Sequence, residues 1–344
     1  MFIFIYYLRA KILTKILRNR ILIDKYHTLC VFLKQIKLKI EKRPYPDYMD
    51  KAELMKNFHL YNKDKLSSSQ IKESIKNSQY VIDKNLLGMS TGTSGNRGVY
   101  VLDKKEKDKW TGTMLAKTLP LSVLLKKPKI GLVLPIESVL YDTKNKRQLL
   151  PIKYFDLFRP SEEWEQQFVE FNPDVIIGSP HIIKILFEKY ADKLTPSYIY
   201  SAAEVLEPET KDFIQNASGL KVKEIYMATE GLFAVSCSHN KLHLCEDIMS
   251  FKLSDHLNTF QFTDLIRSRQ TMINYEMNDL IEISHEKCPC GQAYHVIKTI
   301  AGRADDICII NNTTITPDLI RNTIVDSCSI SDFYFEQIGN QYLI

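Results

Sequence analysis

Glycine and proline are scarce in this chain, 12 and 13 residues among 344. That thinness excludes collagen-like, low-complexity and linker-dominated classes, and there is no internal repeat. Cysteine is few and odd in number, seven in all, which argues against a disulfide framework and for a reducing, cytoplasmic setting. Long apolar runs are missing too. The longest near the start, Phe2 to Leu8, is seven residues before Arg9, far short of the roughly 20 needed to span a bilayer. It has no basic stretch ahead of it and no small-residue cleavage site after it, so no signal peptide is read. No helix-turn-helix, zinc-finger or aromatic RNA-binding signature is present. The net charge of +5 is also too local for general nucleic-acid binding. Residues 1 to 43 hold 11 Lys/Arg against 2 Asp/Glu, or +9, which leaves −4 on the rest.

What is present is a core-sized apolar fraction, 44%, enough for one large α/β domain with insertions or for two domains. From Phe4 to about Lys39 apolar residues such as Leu13, Ile16, Leu17, Ile21 and Leu29, Phe32, Leu33, Ile36 recur at three and four, predicting basic helices that stop before Pro44. The plain reading is a helical arm with this stripe packed on the body and its lysines in solvent. The other is an amphipathic element lying on an anionic membrane surface. Asp50 to Phe58 reads as a short helix capped by Asp50, with Glu53 completing a capping box. From Tyr80 strands and helices alternate: helices around 106–119, 162–171, 181–190 and 207–216, strands around 130–134, 174–177, 197–201 and 222–226. That rhythm gives an α/β fold with a largely parallel sheet, whose ligands sit at the carboxyl ends of the strands.

The stretch Ser90 to Gly98, STGTSGNRG, places three glycines among four hydroxyl residues. Such a backbone can turn its N–H groups inward as a phosphate cradle. Val99 to Leu102 follow at once, so the loop joins two strands, and the Gly-Lys-Ser/Thr ending of a Walker A loop is missing. Downstream come FNPDVIIGSP, SAAEVL, YMATEG, an acidic NDL and GRADD, in that order.

In order and separation these pieces resemble the acyl-adenylate-forming ligase superfamily. The branch is that of phenylacetate-CoA ligase, the deazaflavin coenzyme adenylating synthetases and related proteins of capsular polysaccharide clusters. The likeness runs from about Tyr45 to Ile344. It implies a large adenylate-forming domain with mostly parallel sheets flanked by helices (45–303) between the basic arm (1–44) and a partial C-terminal α+β lid (304–344). It implies ATP-dependent activation of a small-molecule carboxylic acid, with Mg2+, and transfer of the acyl group to CoA or another acceptor.

By resemblance, Ser90, Thr91, Gly92, Thr93, Ser94 and Gly95 would cradle the β- and γ-phosphates, with Arg97 where many relatives carry lysine. Thr229 would contact the α-phosphate and Glu230 would hold Mg2+, a hard cation that prefers oxygen. Ala202, Ala203 and Glu204 would line the adenine side with Tyr226 beside the base. Asp279 would bind the ribose hydroxyls, and Arg303 and Asp305 would mark the hinge to the lid. The segment Pro135 to Phe158 and the turn Gly178 to His181 would line the acid pocket.

Two local departures are YEMNDL in place of an Arg-Thr-Gly before the aspartate and SAAE in place of a glycine-richer turn. The larger one is that relatives carry an adenylation lysine deep in the lid, whereas no Lys or Arg follows Arg321 here. The alternatives are therefore a lid-truncated, non-catalytic nucleotide-binding or scaffolding homologue, or nucleotidyl transfer to a hydroxyl. Separately, Cys237, His239, Cys288 and Cys290 supply three thiols and an imidazole, the set a structural Zn2+ prefers, with His243 and Cys245 as substitutes.

Overall fold

A computed structural model describes residues 2–90, 97–134, 150–157, 159–253, 259–310, 313–317, 319–320, 323–324, 336–338 and 341–343. Its centre is a nine-stranded mixed sheet. In spatial order the strands are Ile152–Tyr154, Ile130–Val133, Val175–Gly178, Tyr198–Ala202, Val222–Ala228, Gly231–Ser236, Leu242–Leu244, Val296–Arg303 and Asp279–Ser284. The first five run parallel and each later pair is antiparallel. The change falls where the chain turns back on itself at Thr229 and Glu230.

The parallel half is built as the sequence predicts, from continuous aliphatic strands separated by amphipathic helices. The strands Ile130–Val133 and Val175–Gly178 are buried along their whole length, as strands covered on both faces must be. Helices Ser161–Phe171, Pro180–Tyr190 and Pro208–Ser218 cover one face around Phe155, Trp164, Phe168 and Ile183. An added Cβ on Gly131 would lie 2.9 Å from Phe168 of the covering helix, and one on Gly178 would lie 2.4 Å from Val133 of the paired strand. The close helix–strand approach at the first and the strand–strand approach at the second therefore both need glycine.

The glycine-rich loop joins two antiparallel strands, Asn85–Met89 and Val99–Asp103, as expected. Ser90 N–H donates to the Gly98 carbonyl at 2.8 Å and Gly98 N–H to Ser90 Oγ at 2.9 Å, closing its base. Thr91, Gly92, Thr93, Ser94 and Gly95 lie outside the described residues, as do 135–149 and Phe158 of the expected acid pocket. Asp50 caps helix Lys51–Lys56, accepting from Glu53 N–H at 2.7 Å. The Glu53 carboxylate turns to Asn57 and Tyr61, so it does not complete a capping box.

The arm forms two helices, Phe2–Ile16 and Arg20–Ile40. The first packs on helix Lys104–Thr118 at Gly112, where a Cβ would meet the Ile3 carbonyl oxygen at 2.5 Å. The plain reading of the apolar stripe needs correction here. Leu17 is buried, but Ile16, Ile21, Leu29, Phe32, Leu33 and Ile36 face outward. The body-facing side of the second helix carries Ile23, His27 and Leu38 instead. Polar side chains on this helix dock it: Tyr26 Oη donates to the Asp247 carbonyl at 2.9 Å, His27 Nε2 pairs with the Glu246 carbonyl at 2.6 Å, and Lys34 Nζ donates to the Arg267 carbonyl at 3.1 Å. Those fixed carbonyls select which face turns inward.

Candidate active site

Strand Val222–Ala228 is the last parallel strand, and its carboxyl end is where a ligand of an open α/β sheet is expected. Ala228 pairs with Gly231 across the returning strand, so Thr229 and Glu230 form a two-residue turn at the sheet's edge of change. At Gly231 a Cβ would lie 2.2 Å from Met249 Cε, so a side chain there would have to displace the end of that methionine. The turn is braced from beneath: Arg267 Nη2 donates to the Thr229 carbonyl at 3.1 Å, and Tyr275 Oη donates to Glu230 Oε1 at 3.2 Å. Burial, followed by the Glu230 charge, pushes the Tyr275 phenol upward, so it remains a donor at neutral pH.

Glu230 faces the base of the glycine-rich loop. A Cβ on Gly98 would lie 3.8 Å from Glu230 Oε1, 3.9 Å from Ser90 Oγ and 3.6 Å from Lys51 Cε. A carboxylate, a hydroxyl and a lysine stem therefore converge on one small space that a glycine keeps open. Arg97, beside it, is exposed.

Tyr226 and Asp279 stand on strands four places apart in the sheet, about 19 Å if the sheet were flat. Yet Tyr226 Oη donates to Asp279 Oδ2, so the sheet curls enough for the two side chains to meet. Arg303, paired with Asp279 in strand register, puts its Nε 3.8 Å from Asp279 Oδ1. Burial raises the Asp279 carboxyl above its ordinary range, opposed by the Tyr226 hydroxyl and Arg303. Burial and the Asp279 charge drive the Tyr226 phenol well upward. Next to Arg303, within the same strand, Gly302 has φ 107° and a Cβ there would lie 2.7 Å from Pro317, so this position needs glycine. Asp305 sits in the following 3-10 turn, Ala304–Asp306, and is exposed.

On the neighbouring strand end Ala202 is buried and Ala203 has φ 74°. A left-handed alanine costs about 1–2 kcal/mol, and such outliers cluster at ligand sites. Glu204 follows at the surface. Partial desolvation raises its carboxyl, while His181 and a hydrogen bond from Ser179 pull it down. This joins the SAAE segment to the Gly178 to His181 turn.

Thr229, Glu230, Tyr226, Asp279 and Arg303 thus fall into two adjoining groups at one end of the sheet, and Ala202 to Glu204 lie on the next strand of the same end. The residues that sequence reasoning missed are Tyr275, Arg267 and Lys51. Tyr275 stood in the segment noted for departing from its relatives' pattern; no signal marks the other two, whose roles depend on long-range contacts.

The second centre is a tight cluster. Cys237, His243, Cys288 and Cys290 place one ligand atom each within 4.8 Å of one another. The imidazole is that of His243, and His239 is corrected out of the set: its ring turns to Ser238 Oγ at 3.2 Å while its backbone N–H donates to Cys237 Sγ at 3.3 Å. Cys237 and Cys288 Sγ are 3.7 Å apart, against about 3.8 Å for two thiolates on a tetrahedral zinc. His243 Nε2 lies 3.3 Å from Cys290 Sγ, and its Nδ1 faces the Tyr294 carbonyl at 3.1 Å, which leaves Nε2 as the ligating nitrogen. Gly291, with φ 76°, turns the CPCG loop. The donor set and spacing fit Zn2+.

No family model matches the chain. In sequence it is 22% identical over 177 residues to phenylacetate-coenzyme A ligase of Thermus thermophilus, covering 45% of this chain and 40% of that relative. The chain thus spans about two fifths of the curated relative it matches. Among solved structures, it is similar to an open conformation of 2-hydroxyisobutyryl-CoA ligase in complex with 2-HIB-AMP and CoA. The TM-score is 0.57 at 21% identity, covering 77% of this chain and 69% of that one. It is also similar to the postadenylation state of that ligase in complex with R3-HIB-AMP, with TM-score 0.55 at 19% identity, 74% of this chain and 60% of that one. The mixed sheet flanked by helices is the fold of these adenylate-forming ligases.

Proposed function

We propose that this chain, whose fold is that of the adenylate-forming ligases, activates a carboxylic acid with ATP and passes the acyl group to a thiol such as CoA. In the first step a carboxylate oxygen attacks the α-phosphorus, the bond to the α,β-bridging oxygen breaks and pyrophosphate leaves. In the second the deprotonated thiol sulfur attacks the acyl carbon, the bond from that carbon to the phosphate oxygen breaks and AMP leaves. The observation that carries the reading is the Thr229-Glu230 turn set against Gly98 and Ser90, with Tyr226, Asp279 and Arg303 beside it. That end of the sheet supplies hydroxyl and backbone donors for phosphate and a carboxylate for a hard cation.

Glu230 would hold Mg2+, which neutralises charge on the phosphate oxygens. The Tyr275 bond fixes the Glu230 rotamer, and Arg267 holds the turn that carries both residues. Asp279 accepts the ribose hydroxyls once Tyr226 shares or yields its oxygen. Gly98 leaves room for phosphate next to Ser90, and Lys51 brings a cation to the same mouth. Residues 45–303 would form the adenylating domain, and 304–344 would belong to the lid. The left-handed Ala203 and Glu204 border the adenine side.

The test is carboxylate-dependent exchange of labelled pyrophosphate into ATP over a panel of aryl and short acyl acids, alone and with a family lid supplied on a second polypeptide. Exchange that Glu230→Gln lowers about a hundredfold is expected. An absence of magnesium-dependent ATP binding by calorimetry would end the reading. We also propose that Cys237, His243, Cys288 and Cys290 hold one structural Zn2+ that ties the strand 231–236 to the loop before 296–303. Metal analysis should find near one equivalent, and His243→Ala should lower the melting temperature no further once a chelator is present.

A further inference from the structure

No helix among the described residues is long and apolar enough to cross a membrane, yet among those residues the arm shows solvent a long run of apolar side chains. In helix Arg20–Ile40 the exposed residues Leu22, Leu29, Leu33, Ile36 and Ile40 repeat at seven, four, three and four, the spacing of one helix face. Ile21 and Phe32 flank them, and Ile40 is 76% exposed. In helix Phe2–Ile16 the outward residues Phe2, Ile5, Ile12 and Ile16 repeat at three, seven and four. The opposite faces of both helices are already used: Tyr7 and Ala10 pack inward on one, Ile23 and Leu38 on the other.

Cations accompany the outward stripes. Arg9 lies between Ile5 and Ile12, Lys25 between Leu22 and Leu29, and Lys39 beside Ile40; all three are exposed, as are Lys15, Arg18, Lys37 and Lys42. The exposed acid of the two helices is Asp24, and Arg20 Nη2 holds it at 3.1 Å. Self-association through this face would bring like-charged stripes together. An anionic bilayer satisfies both features, taking the apolar residues at the acyl boundary and the cations at its headgroups.

We infer that residues 2–40 are an in-plane membrane platform that seats the protein on an anionic lipid surface. The two helices lie flat, and their inward faces, Tyr7 and Ala10 on the first and Ile23, His27 and Leu38 on the second, keep the body attached. Lys34 binds the Arg267 carbonyl and Arg267 in turn binds Thr229, so the platform stands two contacts from the Thr229-Glu230 turn.

The experiment is flotation of the full chain with phosphatidylglycerol-containing vesicles and with pure phosphatidylcholine vesicles, at low and high salt. Anionic vesicles should carry the protein upward, neutral ones should hold it about tenfold less, and salt should weaken the binding. The triple variant Leu29→Ser, Phe32→Ser, Ile36→Ser should lose about tenfold or more of the binding. Its circular dichroism and melting temperature should be unchanged, since the three side chains are exposed. A protein that stays at the bottom with anionic vesicles, or floats equally with neutral ones, overturns the inference. So does a wild-type dimer in sedimentation that the triple variant converts to a monomer, because the stripe would then belong to a second copy.

Discussion

The parallel half of the sheet and the N-terminal arm use the same residue types in opposite directions. In strands Ile130–Val133 and Val175–Gly178 every side chain is buried against helices on one face or the other. In helix Arg20–Ile40 the aliphatic stripe faces solvent, and a lysine, a histidine and a tyrosine face the body and bond to its carbonyls. The sheet is held by apolar burial. The arm buries fewer apolar side chains, among them Tyr7, Leu17, Ile23 and Leu38, and adds polar contacts with fixed carbonyls, Arg20 against buried Glu246 at 2.7 Å, and the tight helix crossing at Gly112. Hydrophobicity alone thus gives an element's period, while the orientation of its apolar face depends on what the neighbouring surface offers.

The contrast breaks most visibly in the sheet. Phe168→Ala, in the fully buried side chain against Phe155, should cost about 3–5 kcal/mol. Ile36→Ser on the arm should cost under about 0.5 kcal/mol, and urea unfolding of both variants checks the pair. A smaller effect is expected at Gly112→Leu, which should lose about 1–3 kcal/mol through overpacking because the obstructing atoms belong to the backbone of the first helix. Limited proteolysis should then cut within residues 2–20 before the body is touched.

A pH-dependent effect concerns Lys34. Burial holds its ammonium down to about 8, against the pull of Asp264 and Glu106. Unfolded, the group titrates near pH 10.4. Between those values the unfolded chain binds more protons, so Lys34's contribution to stability rises with pH and is flat and least favourable below about 8. The difference in unfolding free energy between wild type and Lys34→Met should therefore shift toward the wild type from pH 8 to pH 10. A flat difference would place the ammonium in water.

Much of the candidate site was legible because its chemistry is local in sequence. YMATEG marks the end of a strand and its turn, and STGTSGNRG marks a hairpin loop; in both, glycine and hydroxyl residues declare the backbone's task. The CPCG turn was equally readable. What it met was not, since His239 and His243 are interchangeable in spacing, and only the pairing of Leu242–Leu244 with Val296–Arg303 brings His243 to Cys290. Between Phe58 and Tyr80, where sequence periodicity marks no element, lies a helix, Ser68–Lys76, set by a capping box of Ser67 and Gln70 and by the burial of Ile71.

By itself the sequence determined the α/β alternation, the hairpin that carries the glycine-rich loop, the two basic helices and the order of the motifs. These rest on periodicity and turn chemistry, which act over a few residues. The tertiary structure alone decided that Tyr226 reaches Asp279, that Tyr275 and Arg267 brace the Thr229-Glu230 turn, and that the arm's apolar stripe faces outward. Each of these depends on sheet curl or on partner groups 38 or more residues away, and no local pattern encodes a contact at that distance.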